Sequence, residues 1–151
     1  MSTTERRMLT LGHSPDPDDA FMFYAMAKGK IDMGGLEFRH ELNDIETLNR
    51  KALRGELDIT AISVHAYAYV LDRYAILPCG ASMGERYGPM VVARERIKRR
   101  DLPGKTIAIP GEMTSAFLAL RLAIGQFPYK TVPFDRIFDA VLDGEADAGL
   151  I

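Results

Sequence analysis

Short apolar runs of strand length alternate along this chain with runs of helical apolar spacing. That pattern points to a layered α/β fold with helices against a largely parallel sheet. Residues 8–12 read as a first buried strand and 18–28 as the helix after it, which Gly29 ends. Residues 36–42 alternate as Leu36, Phe38, His40 and Leu42, a second strand. Asp44 is placed to cap a helix whose Ile45, Leu48 and Ala52 share a face, and Gly55 stops it. A strand over 57–63, a helix over 64–72 and strands over 74–81 and 90–93 follow, the last two parted by a turn at 84–89. Beyond a turn signal at 101–105 come a strand at 106–109 and a helix that Thr114 caps and that runs to residue 126. A helix capped by Asp135, with Ile137, Phe138, Val141 and Leu142 on its apolar stripe, leads to a strand opening at Ala148.

The first strand passes into the first helix through His13-Ser14-Pro15-Asp16-Pro17-Asp18-Asp19. Pro15 and Pro17 each fix φ, and Pro17 suits a first helical turn, where the N–H it lacks would have no intrahelical partner. Ser14 or Asp16 can cap, and Asp18 and Asp19 complement the positive end of the helix dipole. A well-capped helix accounts for all of this. So does the wall of a ligand cleft, since open α/β sheets bind ligands where strands give way to helices.

Bulk properties remove several function classes. With 151 residues and 47% hydrophobic content the chain can bury one good core. Nineteen basic against 21 acidic residues leave a net charge of −2, which marks neither nucleic acid nor an anionic membrane as a partner. The basic run at 94–100 is interrupted and reads as a solvated connection. Cys79 is the only cysteine, which excludes an intrachain disulfide, favours a reducing compartment and, in its apolar run, suggests a buried thiol. The N-terminal residues lack a signal-peptide core and no run approaches a membrane span, so the cytoplasm is the expected location. The sequence has no phosphate-binding glycine loop, dinucleotide fingerprint or zinc spacing. Asp16, Asp18 and Asp19 lack the rest of a calcium loop, and neither metal nor cofactor is expected. His13 and His40 have no partner near in sequence.

Two junctions echo each other. Residues 54–59 and 143–148 share Gly-Glu-x-Asp between a helix and a buried strand, 89 residues apart. Glycine ends each helix and the acids keep the turn solvated, so a generic junction explains each copy, while two copies suggest two similar lobes. Candidate chemistry gathers at strand ends. Ser63 closes the third strand, where its hydroxyl can meet a ligand or cap the next helix; His65, inside that helix, reads as structural. Gly111-Glu112-Met113-Thr114-Ser115 precedes a long helix, so free backbone N–H groups and two hydroxyls converge on a spot suited to a carboxylate. A plain cap explains Thr114 and leaves Ser115 over.

Ser14, Pro15, Pro17, Asp19 and Phe21 match the signature Ser-Pro-Cys-Pro-Asn-Asp-Thr-Phe. The chain thus resembles the 1,4-dihydroxy-6-naphthoate synthases, enzymes of the futalosine route to menaquinone, over essentially all of residues 8–151. Asp16, Asp18 and Ala20 depart, standing where the common form has Cys, Asn and Thr; at 18 an amide that donates and accepts becomes a charged acceptor. The resemblance implies a two-lobed α/β fold of the type II periplasmic-binding-protein class. Residues 1–100 would lie in the first lobe, and 101–151 would open a second lobe within which the chain is cut. It implies a cytoplasmic carbon–carbon lyase, free of cofactor and metal, that opens the sugar-derived ring of cyclic dehypoxanthinylfutalosine. Ser14, Asp18, Asp19 and Ser63 are then expected to hold substrate hydroxyls, and Thr114 and Ser115 the aromatic carboxylate. The catalytic residue is unknown, because the histidine proposed as the family's base falls beyond Ile151. The chain reads as the N-terminal half of such an enzyme, expected through its uncovered edges either to form an exchanged homodimer or to aggregate, and to be inactive alone. Chorismate dehydratase of the same pathway and a non-catalytic solute-binding protein for a small carboxylate are the alternatives. The opening segment counts against the first and the lack of a secretion signal against the second.

Overall fold

The computed structural model describes residues 7–151. Its elements run β1 (Arg7–His13), α1 (Pro17–Ala27), β2 (Leu36–Leu42), α2 (Ile45–Arg54), β3 (Ile59–Thr60), α3 (Val64–Tyr67), β4 (Val91–Ala93), β5 (Ile107–Ile109), α4 (Ser115–Ile124), β6 (Tyr129–Thr131), α5 (Ile137–Leu142) and β7 (Ala148–Leu150). They divide into two compact units, Met1–Ile62 with Tyr67–Met83 and Ser63–Ala66 with Gly84–Ile151.

In the first unit a parallel sheet runs β2-β1-β3, with Leu11 opposite His40 on one side and Ile59 on the other. Local chemistry makes α2: the Asp44 carboxylate accepts from the Thr47 N–H at 3.0 Å, and Gly55 ends the helix at φ +70, a conformation that L side chains rarely adopt. Leu48 and Ala52 of α2 are fully buried, and Gly12 of β1 is what lets them approach the sheet. A Cβ on Gly12 would lie 2.7 Å from Leu48 Cδ2 and 2.6 Å from Leu57 Cδ1.

The second unit repeats this plan and adds one strand. Its sheet runs β4-β7-β5-β6, parallel except for the β4–β7 pair. Ile107 and Ile109 face a core of Leu102, Phe117, Leu120, Phe127 and Leu150, while Ala108 faces Ile137 and Ala140 across the sheet. The repeated Gly-Glu-x-Asp junction performs the same task in both units. The N–H and hydroxyl of Thr10 both donate to Asp58 Oδ2 at 2.8 Å, just before β3 pairs with β1. The Thr106 N–H donates to Asp147 Oδ2 at 2.9 Å, just before β7 pairs with β5. Each aspartate thus fixes the point at which a parallel strand joins its neighbour, which is more specific than keeping a turn wet.

Several expected elements differ. Residues 74–81 form no strand: Ile76 and Leu77 are exposed, Pro78 has no N–H to give a ladder, and Cys79 is exposed rather than buried. Only Ile59–Thr60 of the strand expected over 57–63 joins the sheet, and the helix expected over 64–72 stops at Tyr67. There the Val70 N–H turns back to the Tyr67 carbonyl and the Arg73 N–H to the Val70 carbonyl, tight turns that bury Val70. Asp135 does not cap α5; it lies inside the 3₁₀ turn Phe134–Arg136 that leads into that helix. Among the described residues no helix is long and apolar enough to cross a membrane.

Candidate functional site

At the carboxyl end of β1 the turn closes on itself. The Ser14 N–H donates to Asp19 Oδ2 at 2.6 Å, and the Ser14 hydroxyl donates to Asp16 Oδ2 at 2.6 Å. Asp16 occupies the cap position of α1, yet its carboxylate serves Ser14 instead of a helical N–H. Asp19, at the third helical position, reaches back past that cap in the manner of a capping box. Ser14 and Asp19 are buried, whereas Asp18 faces outward. A hydrogen bond from Ser82, and a smaller one from the Asp19 backbone, hold the Asp18 carboxyl below the usual carboxylate range. Asp18 is therefore an ionised acceptor presented on a braced turn. Phe21, one turn further, is 88% exposed and adds nothing to the core. Among the described residues no three His, Cys, Asp or Glu side chains gather as a metal site.

Two histidines that showed no partner near in sequence meet behind this turn. His13 Nε2 is 2.9 Å from His40 Nδ1, and the His13 ring packs on Phe23 with centroids 4.5 Å apart. Parallel register brings them together: Leu11 opposes His40, so His13 lies one same-face step away. The alternation that put His40 in line with Leu36, Phe38 and Leu42 was the available signal. Burial, with a smaller contribution from the charge of His13, pushes the His40 pKa down. His40 also lines a cavity of about 510 Å³ with Met8, Met26, Met33 and Phe38. That cavity extends towards the amino ends of β1 and β2, away from Ser14.

In the second unit Thr114 is the cap expected of it. Its Oγ1 donates to the Gly111 carbonyl at 2.8 Å and accepts from the Phe117 N–H at 3.2 Å, and Thr114 is only 4% exposed. Helix geometry leaves the N–H groups of Ser115 and Ala116 without intrahelical acceptors, at the positive end of the α4 dipole. Ser115 is half-buried beside them. His65 Nδ1 lies 3.3 Å from the Thr114 carbonyl, which ties the start of α3, with Ser63 just ahead of it, to the start of α4. Ser63, His65, Thr114 and Ser115 thus belong to one unit, and Ser14, Asp18 and Asp19 to the other. Tyr129 of β6, whose hydroxyl donates to Glu112 Oε1 at 2.9 Å, joins the same neighbourhood. That bond, with some burial, raises the Tyr129 pKa. No sequence pattern marked Tyr129, because all three residues of β6 are exposed.

A sequence profile described as menaquinone biosynthesis matches residues 9–151. The chain is 43% identical over 143 residues to a 1,4-dihydroxy-6-naphthoate synthase of Thermus thermophilus, and 39% identical over 151 residues to one of Streptomyces coelicolor. Each match covers 95% of this chain and 52% of the relative, so the chain spans about half the length of the curated relatives it matches. A crystal structure of a protein from Archaeoglobus fulgidus, 52% identical, matches 99% of this chain and 55% of its own at a TM-score of 0.90. An alkanesulfonate-binding protein from Xanthomonas axonopodis, 12% identical, matches 99% of this chain and 55% of its own at 0.70, a likeness of fold alone. The fold is thus periplasmic-binding-protein-like, as the family resemblance implied. With a family profile matching nearly its whole length, the chain belongs to the menaquinone biosynthesis family.

Proposed function

We propose that this chain forms the substrate-binding part of a cytoplasmic 1,4-dihydroxy-6-naphthoate synthase, a carbon–carbon lyase acting on cyclic dehypoxanthinylfutalosine. The observation that carries the reading is identity of 39–43% to two synthases across 95% of the chain. The turn chemistry supports it. Asp18 accepts from substrate hydroxyls, Ser14 and Asp19 brace it, and Ser63 offers a further hydroxyl. The N–H groups at the start of α4, with Thr114 and Ser115, take the aromatic carboxylate. Contacts of these two kinds, to hydroxyls and to the carboxylate, orient the sugar-derived ring for a base to remove a proton and open it. Lobe limits of 1–100 and 101–151 and assembly as a homodimer belong to the same reading.

Calorimetric titration of the 151-residue chain with 1,4-dihydroxy-6-naphthoate and, separately, with chorismate tests it. Binding of the naphthoate with little or no heat from chorismate is the expected result. Preference for chorismate would replace the reading with the dehydratase, and indifference to both would overturn it.

A further inference from the structure

The His13–His40 contact has a chemistry that the binding reading does not use. His13 Nδ1 lies 3.1 Å from the Ser14 carbonyl. A carbonyl only accepts, so His13 Nδ1 carries a proton. Neutral His13 then presents a lone pair at Nε2, and the ring 2.9 Å away must donate from its own Nδ1. If His13 is instead the cation, His40 accepts. Two protonated rings would place N–H against N–H and the contact would break. The pair therefore accommodates one extra proton and rejects a second.

From this geometry we propose that His13 and His40 are positioning residues for the 14–19 turn, with His40 fixing the His13 tautomer and His13 Nδ1–H pinning the Ser14 carbonyl. Pinned there, Ser14 keeps its N–H on Asp19 and its hydroxyl on Asp16, and Asp18 stays at its outward station. The His13 carbonyl is itself held by the Asn43 N–H at 3.2 Å, and Phe23 stacks on the ring. The charged groups around the pair are Asp16 and Asp19 on the turn, Asp32 and Glu37 in the cavity that His40 lines, and Glu41, paired with Lys51 at 2.6 Å. A change between about pH 5 and 8 falls in the ordinary range of imidazole and is read on the ring nitrogens themselves. The proposal rests on the turn being a ligand surface for its purpose, though not for its test.

The test is nitrogen NMR of the histidine rings of the 151-residue chain, with hydrogen exchange of the Ser14 amide corrected for its intrinsic pH dependence. Both rings should carry their neutral-form proton on Nδ1, and proton uptake should be that of a coupled pair. His40→Phe should speed Ser14 exchange by about tenfold, the loss of one ordinary hydrogen bond. His40→Gln, whose amide can donate to or accept from His13, should keep Ser14 protected and remove the pH dependence seen in the parent. A His13 ring protonated at Nε2, two rings titrating independently, or unchanged exchange in His40→Phe would overturn the proposal. Should His40→Phe not fold, the parent pH series and His40→Gln decide alone. Naphthoate titration of the same variants is a separate readout. If the rings and exchange behave as stated but the parent binds no naphthoate, the binding reading fails and the positioning pair stands.

Discussion

The start of α4 allows a fold role and a ligand role to be separated on adjacent residues. Thr114→Ala removes a cap worth about 1 kcal/mol. It also removes the shorter of two hydrogen bonds to the buried Gly111 carbonyl, leaving only the Thr114 N–H at 3.4 Å, about another 1 kcal/mol. A loss of about 2 kcal/mol in a chain of this size lowers the melting temperature by about 4–8 °C. Thr114→Ser keeps both hydrogen bonds and deletes a methyl, about 0.8 kcal/mol. Ser115→Ala lies at the first helical position, outside the cap's bonds, and should stay within about 0.5 kcal/mol of the parent. If Ser115 donates to a carboxylate, its loss removes a charge-assisted bond of about 1.5–3 kcal/mol, so naphthoate binding should weaken about tenfold or more. Urea melts paired with calorimetric titration give both quantities for each variant. A Ser115→Ala protein that melts with the parent and binds equally well would refute the carboxylate assignment, and a Thr114→Ala protein as stable as Thr114→Ser would refute the cap arithmetic.

Gly149 is closed in by stiff neighbours, with a new Cβ 2.5 Å from Ile137 Cγ2 and 3.1 Å from Val141 Cγ2. Gly149→Ala should therefore cost about 2–3 kcal/mol by denaturant titration, against about 1 kcal/mol for Gly12→Ala, whose leucine neighbours end in flexible methyls. The reverse order would show that the sheet shifts to make room. Asp58 is held below the usual carboxylate range by the Thr10 N–H and, next, by its hydroxyl. Its contribution is complete above the unfolded value of about 3.9 and is lost as pH falls through the lower folded one. Asp58→Asn should flatten the acid limb of a plot of urea midpoint against pH, and an unchanged limb would remove the tie. Glu112→Gln should lower the Tyr129 ionisation midpoint towards the ordinary phenol value in an ultraviolet titration, and an unmoved midpoint would mean the two groups do not meet in solution.

What could be read from the sequence follows the range of the interaction. Asp44, Gly55 and Thr114 were recognisable because caps depend on residues three or four places away. The buried strands around Leu11 and Ile107 were recognisable because their apolar runs lie between turn signals. The His13–His40 pair depends on the register of two strands, which neither strand records by itself. Residues 74–81 show the opposite failure: their composition suits a strand, but among the described residues nothing pairs with them. Short β6 carries no apolar signal, since Tyr129, Lys130 and Thr131 gain their order from Ile107 and Ile109 beside them. At the turn, Ser14, Asp16 and Asp19 were evident as candidates, but that Ser14 occupies the other two and leaves Asp18 outward emerges only in three dimensions.

The paired threonine–aspartate ties stand where β3 and β7 begin to run beside β1 and β5, and the candidate ligand turns stand where β1 and β5 give out. Specificity and durability are thus written at opposite ends of the same strands. Selection, or a protein engineer, can edit the outward-facing residues of the 14–20 turn without disturbing the fasteners. Asp18 and Ala20, lying outside the Ser14 network, show how such an edit looks. By the same logic the scaffold is a natural recipient for turns borrowed from relatives, because the knots that keep its strands aligned are tied elsewhere.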